Sequence, residues 1–195
     1  VGKRERKIMS AISDHVLGIL DRLGEDPTRE GLQKTPERVE RALRELTAGY
    51  HLEVDATTFD AEGANQMVCQ WNIPTYSLCE HHILPFVGVT HIGYIPKERI
   101  VGLSKFKRIV DMYARRLQIQ ERMTRQICDF LEEALSPRGV MVVVEAEHFC
   151  MTMRGVQAPG TLTTTSAVTG DFADRAEGSR EEFLILLNRS RKESR

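Results

Sequence analysis

Cys79-Glu80-His81-His82 sets one thiol, one carboxyl and two imidazoles in four consecutive positions of a chain that has only four cysteines and six histidines. Thiolate and imidazole are the donors zinc prefers; structural zinc usually takes four of them, whereas catalytic zinc keeps three protein ligands and a water. Cys79 and His82, three positions apart, are close enough to hold one ion from a single turn. A third donor must come from elsewhere. In "VMVVVEAEHFCMTMR", residues 140–154, strand alternation sets Val142, Val144, Ala146, His148, Cys150, Thr152 and Arg154 on one side, with Met141, Val143, Phe149, Met151 and Met153 on the other. Cys150 is then the natural third ligand, giving a Cys₂His site with an open fourth position. His148, one pleat away, can act on whatever the open position's water attacks, and His81 is a second acid–base candidate. Each half of this site is weak alone, because an isolated Cys-x-x-His is mostly accidental and free cysteine is commonly buried. Together they favour zinc. Cys69 and Cys128 lack such neighbours and read as packing residues, while Glu80 reads equally as a partner orienting an imidazole or as a solvated turn residue.

A second signal is electrostatic. "LSKFKRIV" puts Lys105, Lys107 and Arg108 in the first turn of a helix, where the macrodipole disfavours cations and free amides attract anions. Ser104, Lys105 and Arg108 share one side, which suits a phosphate better than a plain solvated face. Arg38 and Arg41 repeat the pattern near the start of "TPERVERAL", but Glu37 and Glu40 interleave, and a charged solvent face explains them as well. Gln120-Glu121 follows a helix break; a carboxylate there can accept two hydrogen bonds from a guanidine-like edge or merely complement a helix dipole.

These groups must be carried by a framework. Ile8, Ile12, Val16, Ile19, Leu20 and Leu23 recur at helical spacing until "GEDPTREG" interrupts them. Thr35-Pro36 reads as a cap and first helical position, with Val39, Ala42, Leu43 and Leu46 along one side. Residues 51–66 read as a loop. Alternation over 67–76 and 86–95 predicts two strands flanking the Cys-His cluster. Ser104 is placed as the cap of a helix buried on Phe106, Ile109, Val110 and Tyr113; another helix buries Met123, Ile127, Phe130, Leu131 and Leu135, with Gly139 beyond its end. Two strands follow, residues 140–154 and "TLTTTSAVTG", and Ser179 with Glu182 suggests a capping box for a last helix through Leu187 before a disordered basic tail after Asn188. Two helices, two strands, two helices, two strands and a helix spell an α+β protein with an antiparallel sheet.

The 195 residues suit one domain with a helical extension, split as 1–50 and 51–195. A formal charge of −1 gives no net attraction to nucleic acid or anionic membrane, so neither is expected as a partner. The N-terminal stretch is charged, then amphipathic, with no signal-peptide run, and no segment approaches the roughly 20 apolar residues of a membrane span. Few cysteines and ordinary composition fit a reducing, cytoplasmic setting. The chain opens on Val1 rather than Met, and a preceding piece is expected.

With those residues assembled, the chain resembles GTP cyclohydrolase I. The stretches that carry the resemblance are "EDPTREGLQKTPERVERA", "CEHHILPFVG", "HIGYIPKERIVGLSKFKRIVDMYARRLQIQERMTRQI", "GVMVVVEAEHFCMTMRGV" and "TSAVTGDF", covering most of the chain from about Gly24. The resemblance implies zinc on Cys79, His82 and Cys150, catalytic histidines at His81 and His148, and a ribose-side role for Ser104. It implies guanine recognition by Gln120 and Glu121, and triphosphate contacts from Lys105, Arg108, Arg154, Arg38 and Arg41. The fold implied is the tunnelling fold, a four-stranded antiparallel sheet with two helices between its strand pairs, preceded by a helical extension. Subunits of the family assemble as toroidal homodecamers with shared active sites. The reaction implied opens the guanine five-membered ring of GTP, releases formate and rebuilds the ribose into 7,8-dihydroneopterin triphosphate, the first step of folate and pterin biosynthesis. Two departures lie near the phosphate end. No basic residue stands between Arg154 and Arg175, where many relatives carry several, which implies a weaker hold on GTP; and Arg41 replaces a lysine of some relatives. Two rivals remain: a structural zinc module, marked by a fourth protein ligand, and a sister tunnelling-fold enzyme acting on another pterin or deazapurine, against which the complete Cys-Glu-His-His argues.

Overall fold

The computed structural model describes residues 11–193, in two compact units divided between Thr47 and Ala48. The first unit pairs helix α1 (Ile12–Arg22) with α2 (Thr35–Leu46). Val16 of α1 and Pro36 of α2 are buried, and the Ser13 amide donates to the Glu40 carboxylate at 2.9 Å. Ile8 lies outside the described residues, and Ile19 and Leu23 are exposed, so the inward stripe is narrower than the spacing predicts. Thr35 is not the cap it was expected to be: Lys34 holds that position and Thr35 is the first helical residue. Arg38 and Arg41 are exposed on α2.

The second unit begins with a 3₁₀ turn at Ala48–Tyr50 and contains a loop that holds a short strand, β1 (Thr58–Asp60), which sequence reasoning missed. Strands β2 (Val68–Cys79) and β3 (Pro85–Ile95) form an antiparallel hairpin around the Cys-His cluster. Strand β4 (Arg99–Val101) pairs with β1 and leads into α3 (Leu103–Ala114). A two-residue strand, β5 (Leu117–Gln118), precedes α4 (Gln120–Leu135) and lies parallel to the end of β2. Then come β6 (Gly139–His148), the single-turn helix α5 (Phe149–Thr152), β7 (Leu162–Val168) and α6 (Ser179–Glu193). The main sheet runs β5-β2-β3-β6-β7 and is antiparallel except at β5, so it has one strand more than expected.

Alternation along β6 decides the layering. Val140, Val142, Val144 and Ala146 face one core with Phe106, Ile109 and Val110 of α3 and Met123, Ile127 and Leu131 of α4. Met141 and Val143 face a second core with Phe172, Phe183 and Leu187 beneath α6. Gly88 permits the close approach of β3 to β6, since a Cβ there would meet the Glu145 carbonyl at 1.8 Å.

Several local expectations are corrected. Gly102, not Ser104, is the cap of α3, and Ser104 is exposed within its first turn. Ser136, in the left-handed region at φ 44°, ends α4, whereas Gly139 opens β6. Ser179 is itself helical, with the Glu182 amide bonded to the Gly178 carbonyl, and α6 continues through the basic stretch read as a tail. The largest correction concerns 140–154: the strand stops at His148, because a helical turn follows. Thr152 donates to the His148 carbonyl at 3.1 Å and to the Glu147 carboxylate at 3.0 Å, and the same carboxylate accepts the Gly160 amide. Cys150 therefore leaves the pleat on a turn of helix.

Candidate active site

The donors that seek a cation meet where β2 ends. The Cys79 amide donates to the Leu84 carbonyl at 2.8 Å, and the Cys79 carbonyl accepts the amides of His82 and Ile83, folding residues 79–84 into a tight turn. Ile83 sits at φ 54°, a left-handed conformation that a β-branched side chain adopts only under strain. The α5 turn delivers Cys150 from the other side. One donor atom each from Cys79, His82 and Cys150 falls within 4.8 Å of the others, and among the described residues this is the group able to hold a metal.

The chemistry of the set suits a cation. Burial and then the adjacent Cys79 push the Cys150 thiol up, because two thiolates cannot share this space unless positive charge compensates them. Cys69 and Cys128, by contrast, are pushed up to about 12 chiefly by burial, and neither belongs to the three-donor group, as expected of packing residues. His81 lies near the set, its Nδ1 3.7 Å from the Cys79 sulfur, yet does not join the three-donor group.

A cleft of about 230 Å³ opens beside these donors, lined by Cys79, His81, His82, Cys150, His148 and the residues leading into α4, with Met151 and Thr163. Pairing of β5 with Leu78 and Cys79, reinforced by the Glu80 amide on the Gln118 carbonyl, is what brings the start of α4 here. His148 is half-buried, stacked on Phe86 with ring centroids 4.6 Å apart and planes 10° apart. Burial lowers its pKa, and the Glu121 charge opposes that effect. Glu121 is exposed at the start of α4.

Gln120 differs from expectation. Its side chain is buried, the amide nitrogen lies 2.9 Å from the Thr163 carbonyl, 3.1 Å from the Val144 carbonyl and 3.1 Å from the Thr165 hydroxyl, and its oxygen lies 2.7 Å from His148 Nε2. The nitrogen has no hydrogen left for a ligand. Glu80 also resolves: it orients no imidazole but pairs bidentately with Arg122, at 2.6 and 3.1 Å, and that bond holds its carboxyl below the usual range. Sequence reasoning missed Arg122, Gln118 and Thr163; partners this far apart along the chain leave no periodic trace.

The remaining predicted residues do not line this cleft. Ser104 and Lys105 stand on the first turn of α3 and Arg108 on its second, Arg154 is exposed just after α5, and Arg38 and Arg41 belong to the N-terminal unit.

Comparison with known proteins agrees with this geometry. The family model for GTP cyclohydrolase I matches residues 12–188. A GTP cyclohydrolase 1 from Parabacteroides distasonis is 50% identical over 195 residues, 98% of each chain. Another, from Chlorobaculum tepidum, is 49% identical over 94% of this chain and 83% of its own, and one from a Synechococcus species is 54% identical over 87% and 75%. A match of that length, running through the Cys-His turn, the α4 start and the Cys150 turn alike, means that this chain belongs to the GTP cyclohydrolase I family.

Proposed function

We propose that the protein is a zinc-dependent GTP cyclohydrolase I, opening the five-membered ring of guanine in GTP, releasing formate and yielding 7,8-dihydroneopterin triphosphate. The observation that carries this reading is the meeting of Cys79, His82 and Cys150 within 4.8 Å at the edge of a cleft that also holds His148 and Glu121. Zinc held by those three donors would supply Lewis acidity and activated water near neutral pH. His148, whose lowered pKa keeps it neutral yet able to accept a proton, exchanges protons with the ring nitrogen beside the carbon that is lost. His81, exposed on the rim, carries protons to and from solvent during ring opening. Glu121 accepts the two-donor edge of guanine. Formate and a fluorescent oxidised pterin are expected when the protein is incubated with GTP and zinc, and neither from Cys150→Ser; wild-type protein that binds zinc and GTP without releasing formate would overturn the reading.

Ser104, on the ribose side, and Lys105, Arg108, Arg154, Arg38 and Arg41, on the triphosphate, complete the substrate site. The place of Ser104, Lys105 and Arg108 outside this chain's cleft supports a site shared between copies. The sheet supports the same reading: β7 is a terminal strand and β5 covers only the last two residues of β2, so both edges can continue into neighbouring copies. The assembly proposed is the toroidal homodecamer of the tunnelling fold, and native mass measurement tests it. No helix among the described residues is long and apolar enough to cross a membrane, and the cysteines there are free thiols, which suits the cytoplasm.

A further inference from the structure

We infer that Gln120 is a positioning residue: rather than reading the guanine base, its carboxamide selects the ring orientation and tautomer of His148. The inference rests on the reading of His148 as the proton carrier. Stacking on Phe86 fixes the plane of the imidazole but not which edge points where, because a half-turn of the ring about its bond to Cβ leaves the plane unchanged. The hydrogen bond to Gln120 removes that freedom. Which end of the carboxamide faces His148 follows from its other neighbours. The carbonyls of Val144 and Thr163 can only accept, so the amide nitrogen must face them at 3.1 and 2.9 Å, and Oε1 is left toward the imidazole at 2.7 Å. An oxygen there requires a donor, so Nε2 of His148 carries its hydrogen and Nδ1 is the edge turned away from Gln120. Gln120 is itself immobilised, being 1% exposed and bonded to both β6 and β7, which form one side of the site. A side chain so fully committed cannot also turn to a base without giving up its bonds to both strands.

The test uses Gln120→Met, an apolar near-isostere, with GTP turnover followed by formate release, and with zinc content measured on each preparation. The expected result is kcat lower by about 10- to 100-fold, KM for GTP within about two-fold of wild type and an unchanged GTP:ITP preference, since ITP lacks the 2-amino group a base-reading residue would sense. In a His148→Ala background the same substitution should cost nothing further, because its effect passes through the imidazole. Should Gln120→Met not fold, Gln120→Asn, which keeps the amide but withdraws it by one methylene, gives the same signature. A rise in KM with kcat preserved, a changed GTP:ITP preference, or an undiminished loss in the His148→Ala background would overturn the inference. If His148→Ala alone turned over GTP at the wild-type rate, the reading of His148 would fail first; if it were inactive while both Gln120 variants kept full kcat, only the role of Gln120 would fail.

Discussion

Two histidines on neighbouring central strands show what separates a working imidazole from a structural one. His91 on β3 is 1% exposed beneath α6; its Nδ1 accepts the Asn72 amide at 3.2 Å, and its Nε2 lies 3.5 Å from the carboxylate of Glu145, which is paired in turn with Arg191. His148 on β6 stacks on Phe86 and meets a side-chain oxygen, that of Gln120. Burial lowers the pKa of both. The difference is access. His91 is closed in on the face of the second core, whereas His148 lies at the last residue of its strand, where the sheet gives way to the cleft and the Cys150 turn. A shifted imidazole is therefore common to core and site, and what marks the site is an open cleft with a metal-binding donor set beside it.

The sharpest way to break this comparison is to remove the donor set. Cys79→Ser or Cys150→Ser is expected to reduce bound zinc well below one per chain and formate release by on the order of 10³-fold or more, read by metal analysis and formate assay. His148→Ala should lower kcat by about 10²- to 10⁴-fold, whereas His91→Gln should leave it within about two-fold; equal losses would erase the distinction drawn between the two. The two histidines should exchange importance when stability is read instead. Because burial holds His91 below its ordinary value of 6.5, the folded state takes up its proton less readily than the unfolded chain does. Its contribution is complete above 6.5 and is lost as pH falls below that value toward the depressed folded one. The melting temperature should thus decline from about pH 7 to about pH 5, and less steeply in His91→Gln than in wild type; parallel curves would remove His91 from the account. The smallest effect is expected at the exposed clamp on the turn: Arg122→Ala should leave the melting temperature almost unchanged but speed zinc loss to a chelator by about two- to ten-fold.

How much of this was legible beforehand differs between backbone and site. Strand alternation in 140–148 sorted the residues between the two faces correctly, because one residue in two must face each side of a sheet whatever packs there. The same alternation was carried too far, and placed Cys150 beside Cys79 for a mistaken reason: the pleat ends at His148, and only the bonds of Thr152 and Glu147 after it turn the chain into the helix that delivers the thiol. Gln120 was legible as a residue of the site, but its partners on β6 and β7 lie 24 and 43 positions away and left no local mark.

By itself the sequence determined the donor types, the turn able to hold two of them, the order of elements and the inward faces, since each depends on neighbours within a few residues. Tertiary structure alone decided which distant thiol completes the set, that β5 docks α4 against Cys79, that Arg122 holds Glu80, and that Gln120 faces an imidazole. Those pairings depend on sheet register and on which core each helix covers, and such long-range geometry is fixed only when the whole chain packs.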